Sequence, residues 1–175
     1  MILTGCEIIR QWELGRIRIS DFDLEAVTTN SYDLRLGSTL LRYTALVLDP
    51  RKPNPYETLE LGADGYTMSS GDFRLGTTHE WIGSDHYVPI IHARSGTARL
   101  GLFVHCTADL IDIGSYGRAT LQLHAVLPVR LWPDMRIAQV SFWVPTGEIK
   151  LYRGKYAGSD GPRPSLAYLD AREET

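Results

Sequence analysis

Apolar residues along the chain follow two different periods. At the start, Ile8, Ile9, Trp12 and Leu14 fall at roughly helical spacing, and Gly15 follows as a stop. Thr4-Gly5-Cys6-Glu7 has the form of a capping box, in which Thr4 bonds the Glu7 amide and Glu7 reaches back to Thr4. This predicts a short N-terminal packing helix. Beyond it the pattern turns to short alternating or apolar runs at 16–19, 32–36, 39–48, 58–61, 72–76, 87–92, 101–107, 119–126, 137–144 and 148–152. Turn pairs such as Asp49-Pro50, Asp64-Gly65, Ser70-Gly71 and Pro133-Asp134 separate them. Strands at about 8–12-residue spacing predict a mainly antiparallel β fold, a sandwich, jelly roll or distorted barrel. A second short helix is predicted from Ser95, a good N-cap residue, between two β runs. Its first amides, with Arg94 and Arg99 alongside, suit an anion; the same residues also suit a plain surface turn.

The 175 residues, without repeat or low-complexity segment, fit one domain, 1–175, with a loop-like tail from about residue 153. Sixteen glycines and nine prolines are close to ordinary usage, which excludes disordered and collagen-like chains. Cys6 and Cys106 are too few for a disulfide framework or a Cys-rich zinc site. None of His79, His86, His92, His105 and His124 opens the H-x-E…P-C-x-x-C pattern of zinc deaminases, so no protein-built zinc centre is expected. A net charge of −3 gives no field that would hold a nucleic-acid polymer. No run of 18 apolar residues is present, and the first residues lack a secretory signal pattern. A soluble, cytoplasmic protein is expected.

Four stretches carry a family likeness. The segment Ala93-Arg94-Ser95-Gly96-Thr97-Ala98-Arg99-Leu100-Gly101-Leu102-Phe103-Val104-His105 resembles the R-S-S-x-A-R-x-G-L-x-V-H segment of dCTP deaminases, members of the trimeric dUTPase superfamily. The stretch from Thr107 through Asp112 and Gly114 to Gly117 is similar to that family's T-A-x-x-I-D-x-G-x-x-G loop. Ser31-Tyr32-Asp33-Leu34-Arg35-Leu36-Gly37 resembles its S-Y-D-L-R-L-G strand. Lys155-Tyr156, Gly161 and Pro164-Ser165-Leu166 resemble its C-terminal closing segment.

The resemblance implies a dUTPase-like distorted β-barrel, a homotrimer with sites between subunits, and a tail (about 153–175) closing over a pyrimidine nucleoside triphosphate. It implies that Arg94, Ser95 and Gly96 hold phosphates, joined by Gln139, Tyr152 and Lys155. Asp112 would lie under the deoxyribose and position water, Thr120, Leu121 and Gln122 would face the base, and Arg99 would stand beside the reacting water. Mg²⁺ would enter on the phosphates, with no protein metal ligands and no zinc.

One departure changes the expected chemistry. Gln122 stands where deaminases carry glutamate. Positioned acid–base catalysis contributes roughly 10²–10⁴-fold, and a neutral amide cannot cycle a proton. It still offers a donor and an acceptor to a pyrimidine edge. The sequence therefore favours Mg²⁺-dependent diphosphate release from a dUTP- or dCTP-like nucleotide through water held by Asp112. The alternatives are a dCTP deaminase, monofunctional or dUMP-forming, and a weakened nucleotide-binding regulator. Deamination would need Gln122 to be an engineered replacement, or another carboxylate such as Asp109 to act instead. Other departures are Gly96 for a serine and Asp160 near the expected phosphates. His105 is expected to be a hydrogen-bonded structural histidine, Cys106 a small buried side chain, and Trp81, Trp132 and Trp143 packing residues.

Overall fold

A computed structural model describes residues 1–172; residues 173–175, the end of the expected tail, lie outside the described residues. Helix α1 spans Gly5–Glu13 and buries Ile8. Its N-cap is Thr4, but the Thr4 side chain makes no capping bond. The predicted box is not formed because the Glu7 carboxylate turns outward, accepting from Gln11 Nε2 at 2.5 Å and lying 3.5 Å from Arg10. Gly15, at φ +69°, ends the helix as expected. Trp12 stacks on Phe22 (4.1 Å), which stacks on Tyr32 (5.0 Å), joining the helix to the sheet behind it.

Eleven strands follow among the described residues: β1 (Ile17–Ile19), β2 (Tyr32–Arg35), β3 (Thr39–Tyr43), β4 (Tyr56–Glu60), β5 (Tyr66–Met68), β6 (Phe73–Ser84), β7 (Val88–Ala93), β8 (Leu102–Phe103), β9 (Tyr116–Ala125), β10 (Val129–Leu131) and β11 (Arg136–Trp143). Helix α2 (Ser95–Arg99) lies between β7 and β8. All named pairings are antiparallel. The large sheet runs β4-β3-β6-β9-β8 with β1 on the far half of β6; β2-β11-β7 forms a second sheet and β5-β10 a ribbon. This is the mainly β, distorted barrel expected from the strand spacing.

The core follows from alternation. On β9, Leu121, Leu123 and Ala125 point inward with no exposure, while Thr120, Gln122 and His124 take the other face. Phe142 and Val140 of β11, Leu34 of β2 and Ile91 of β7 close the core from the second sheet. The β6–β9 register breaks between Thr77 and Trp81. Glu80, 1% exposed, fixes that irregularity by accepting from Arg35 Nε at 2.7 Å and the Arg35 amide at 3.0 Å.

Several expectations differ. The run 39–48 is strand only to Tyr43, and Leu46, Val47 and Leu48 stand exposed on a loop. The run 101–107 keeps two strand residues, and 148–152 has none. Trp132 and Trp143 are exposed, whereas Trp81 is half-buried, 5.5 Å from the Tyr116 ring. Cys106 is also exposed. Their segments end strands or follow them, so no second layer covers them.

Candidate functional site

Four of the eleven expected site residues share one cavity of about 690 Å³. Asp112, Thr120, Gln122 and Tyr152 line it, with His105, Arg118 and Tyr156. The large sheet supplies one wall, since the Thr120 and Gln122 side chains alternate with the core residues of β9. Leu121 is the exception among the expected base contacts. Its side chain is fully buried in the core, so only its backbone can face a ligand.

The loop after β8 brings Asp112 to the rim, where it is exposed. Gly114 makes this possible in two ways. Its φ is +92°, and a Cβ there would sit 2.8 Å from the Leu151 Cβ. The close approach lets the Tyr152 amide donate to the Ile113 carbonyl at 2.8 Å, which sets Tyr152 beside Asp112. Gly117 does the same for the tail. A Cβ there would lie 2.8 Å from the Ser159 carbonyl oxygen, and that carbonyl accepts from the Arg118 amide at 2.8 Å.

The tail then crosses the cavity on hydroxyl acceptors. Thr120 Oγ1 accepts from the Arg163 amide (3.0 Å), the Tyr43 hydroxyl from Ser165 (2.7 Å) and the Tyr156 hydroxyl from Leu166 (2.8 Å). Asp160 lies 3.5 Å from Arg118, so its negative charge is offset locally. Lys155 does not line the cavity. Its ammonium is paired with Asp170, which raises its pKa, and the tail's last turn holds it there.

The remaining expected residues gather elsewhere. Arg94 follows β7 and is the N-cap of α2, so Ser95 is the first helical residue and not the cap. Arg94 Nε lies 3.1 Å from Asp33 Oδ2. Asp33 is 4% exposed, and its other oxygen has no partner. Burial pushes its pKa up, opposed by Arg94 and Arg136. Gln139 sits opposite Asp33 across β11 and β2, and its Oε1 accepts from Ser31 Oγ at 3.1 Å. Ser95, Gly96 and Arg99 are exposed, and nothing lies within 4 Å of where a Gly96 Cβ would be. None of Arg94, Ser95, Gly96, Arg99 and Gln139 lines the cavity.

His105 lacks the protein hydrogen bond expected of a structural histidine: neither ring nitrogen has a partner in bonding geometry. The Gln122 amide lies beside it and tends to hold its pKa up, but burial outweighs this and pushes the pKa down. No sequence signal pointed to Tyr43 or Arg118, whose places depend on the tail's path.

Residues 2–144 match the dCTP deaminase-like family. The chain belongs to that family. A "dCTP deaminase, dUMP-forming" of Clostridium beijerinckii is 40% identical over 172 residues, covering 97% of this chain and 98% of the relative. A protein of the same name from Leptospira biflexa matches to the same extent. The 2'-deoxycytidine 5'-triphosphate deaminase of Agrobacterium tumefaciens shares the fold, with a TM-score of 0.65 and 21% identity over 82% of this chain. The match spans 48%, about half, of that structure's chain. Three of the four resembling segments lie within residues 2–144, and the C-terminal one, from Lys155 to Leu166, lies beyond them. Among the described residues no three His, Cys, Asp or Glu side chains are grouped to hold a metal ion, and no helix is long and apolar enough to cross a membrane.

Proposed function

We propose that this chain converts dCTP to dUMP, releasing ammonia and diphosphate. The observation that carries this reading is 40% identity to dUMP-forming dCTP deaminases across nearly the whole of both chains. It outweighs the expectation of diphosphate release alone, which rested on a single position. In this reading Thr120 and Gln122 face the base, with Leu121 contributing backbone. Asp112 lies under the deoxyribose and orients water toward the α-phosphorus. Arg94, Ser95, Gly96, Gln139, Tyr152 and Lys155 hold phosphates, and Arg99 stands beside the reacting water. Positive charge there offsets what develops as diphosphate leaves. Mg²⁺ belongs to the substrate, carried on phosphate oxygens, which suits a site with few clustered carboxylates.

The separation of Arg94, Ser95, Gly96 and Gln139 from the cavity supports assembly as a homotrimer, in which one subunit's α2 segment completes its neighbour's cavity. Gln122 favours a second reading, hydrolysis of the triphosphate without deamination, because the amide cannot transfer protons. Incubation with Mg²⁺ and dCTP, dUTP or dTTP, with products resolved, separates the two. Equal amounts of ammonia and diphosphate from dCTP are expected. Diphosphate alone selects the second reading, and tight binding without turnover selects a nucleotide-binding regulator.

A further inference from the structure

A buried imidazole lies beside Gln122. His105 follows β8 and borders both the large cavity and a smaller one of about 230 Å³. Its two ring nitrogens are buried, and neither meets a partner in hydrogen-bonding geometry, although the Gln122 side chain is near enough to act on the ring. Leaving buried polar atoms unpaired is costly, so such groups usually await a water or ligand. Its polar neighbour on β9 is the Gln122 amide itself. Other candidates fit less well. Asp112 is the sole carboxylate among the described residues of the large cavity, and it is exposed at the rim. Asp109, the carboxylate expected to act in place of glutamate, is exposed and borders only the smaller cavity.

We propose that His105 carries the protons of the deamination step in place of the absent glutamate, an assignment that rests on the deaminase reading above. As the oxygen of water bonds to C4 of the cytosine, one of its protons passes to the imidazole, which delivers it to N3. The new C4 hydroxyl then gives up its proton, and the same imidazole passes it to the 4-amino nitrogen. The C4–N bond breaks, ammonia leaves and the C4 carbonyl forms. The step balances with water alone.

The imidazole must be neutral to begin. Burial pushes its pKa below 6.5, His92 on β7 adds to that, and Gln122 and Asp109 oppose it. The neutral ring therefore dominates at pH 7. An adjacent amide can donate to one nitrogen or accept from the other, which orients the ring.

The test uses His105→Gln, Gln122→Glu and the double variant, with ammonia release and dCTP affinity measured separately. His105→Gln should keep dCTP binding and lose ammonia release by roughly 10²–10⁴-fold. Adding Gln122→Glu to it should restore release, which also shows that the fold survives the His105 change. Wild-type release should fall as pH drops through the His105 pKa, and in the double variant that limb should move into the carboxylate range. Wild-type ammonia release persisting in His105→Gln, with an unchanged pH limb, overturns the assignment and leaves the deaminase reading standing. A wild type that releases no ammonia overturns both.

Discussion

At the residue scale, the Arg94–Asp33 pair ties stability to the proposed phosphate binding. Asp33 is almost fully buried and Arg94 is half-buried, so the arginine neutralises a desolvated carboxylate while part of its side chain stays open to solvent, where the proposed function puts a phosphate. Arg94→Ala should cost about 1–3 kcal/mol of stability by leaving a buried carboxylate without its cation. Asp33→Asn in the same chain should recover much of that loss, because a neutral amide is cheaper to bury. Triphosphate binding should not recover. Denaturant unfolding and KM for dCTP, measured on both variants, read the two effects separately. If the double variant regains KM as well, Arg94 acts only through the fold. The sequence marked Arg94 through its motif, but the Asp33 contact joins the cap of α2 to β2 across 61 positions in residue number and has no local signature.

At the element scale, legibility depended on whether a segment's pattern was set by its own alternation or by its partner. The face of β9 was readable because Leu121, Leu123 and Ala125 alternate strictly with polar positions. That same alternation argued against Leu121 as a side-chain contact to the base. The length of β6 was not readable beyond residue 76, since its register breaks between Thr77 and Trp81 and the period-two pattern breaks with it. Apolar Leu46, Val47 and Leu48 read as strand but have no ladder partner to hold them there. The tail carries no period at all; its path comes from hydroxyl acceptors on distant strands. Gly114 is where the element-scale argument can be tested. Gly114→Ala combines a positive φ with a backbone approach that admits no Cβ. It should cost about 1–3 kcal/mol, lowering Tm by roughly 3–10 °C in a chain of this size. KM for dCTP should rise with it, because Tyr152 is placed by the Gly114 turn. An alanine variant with unchanged Tm would show that the turn relaxes freely.

At the scale of the whole molecule, the residues proposed for the site fall into two groups. Asp112, Thr120, Gln122 and Tyr152 face one cavity, whereas Arg94, Ser95, Gly96, Arg99 and Gln139 lie outside its lining. A single β domain of this kind offers no cleft between two halves, so the proposed trimer is where the two groups of residues would meet. This leads to a complementation experiment that a self-contained site could not pass. Asp112→Asn and Arg99→Ala should each be inactive alone, since each removes one side of every site. Both side chains are exposed and neither is counted among the core residues, so both variants should fold. When the two are mixed, dissociated and reassembled, some sites receive an intact Asp112 from one subunit and an intact Arg99 from its neighbour. Random assembly of equal amounts gives such a pairing at about one site in four. Recovery of roughly a quarter of wild-type turnover is therefore expected, measured on the reassembled mixture against each variant treated alike. If both residues served one site within one chain, every subunit would carry one defect and mixing would recover nothing.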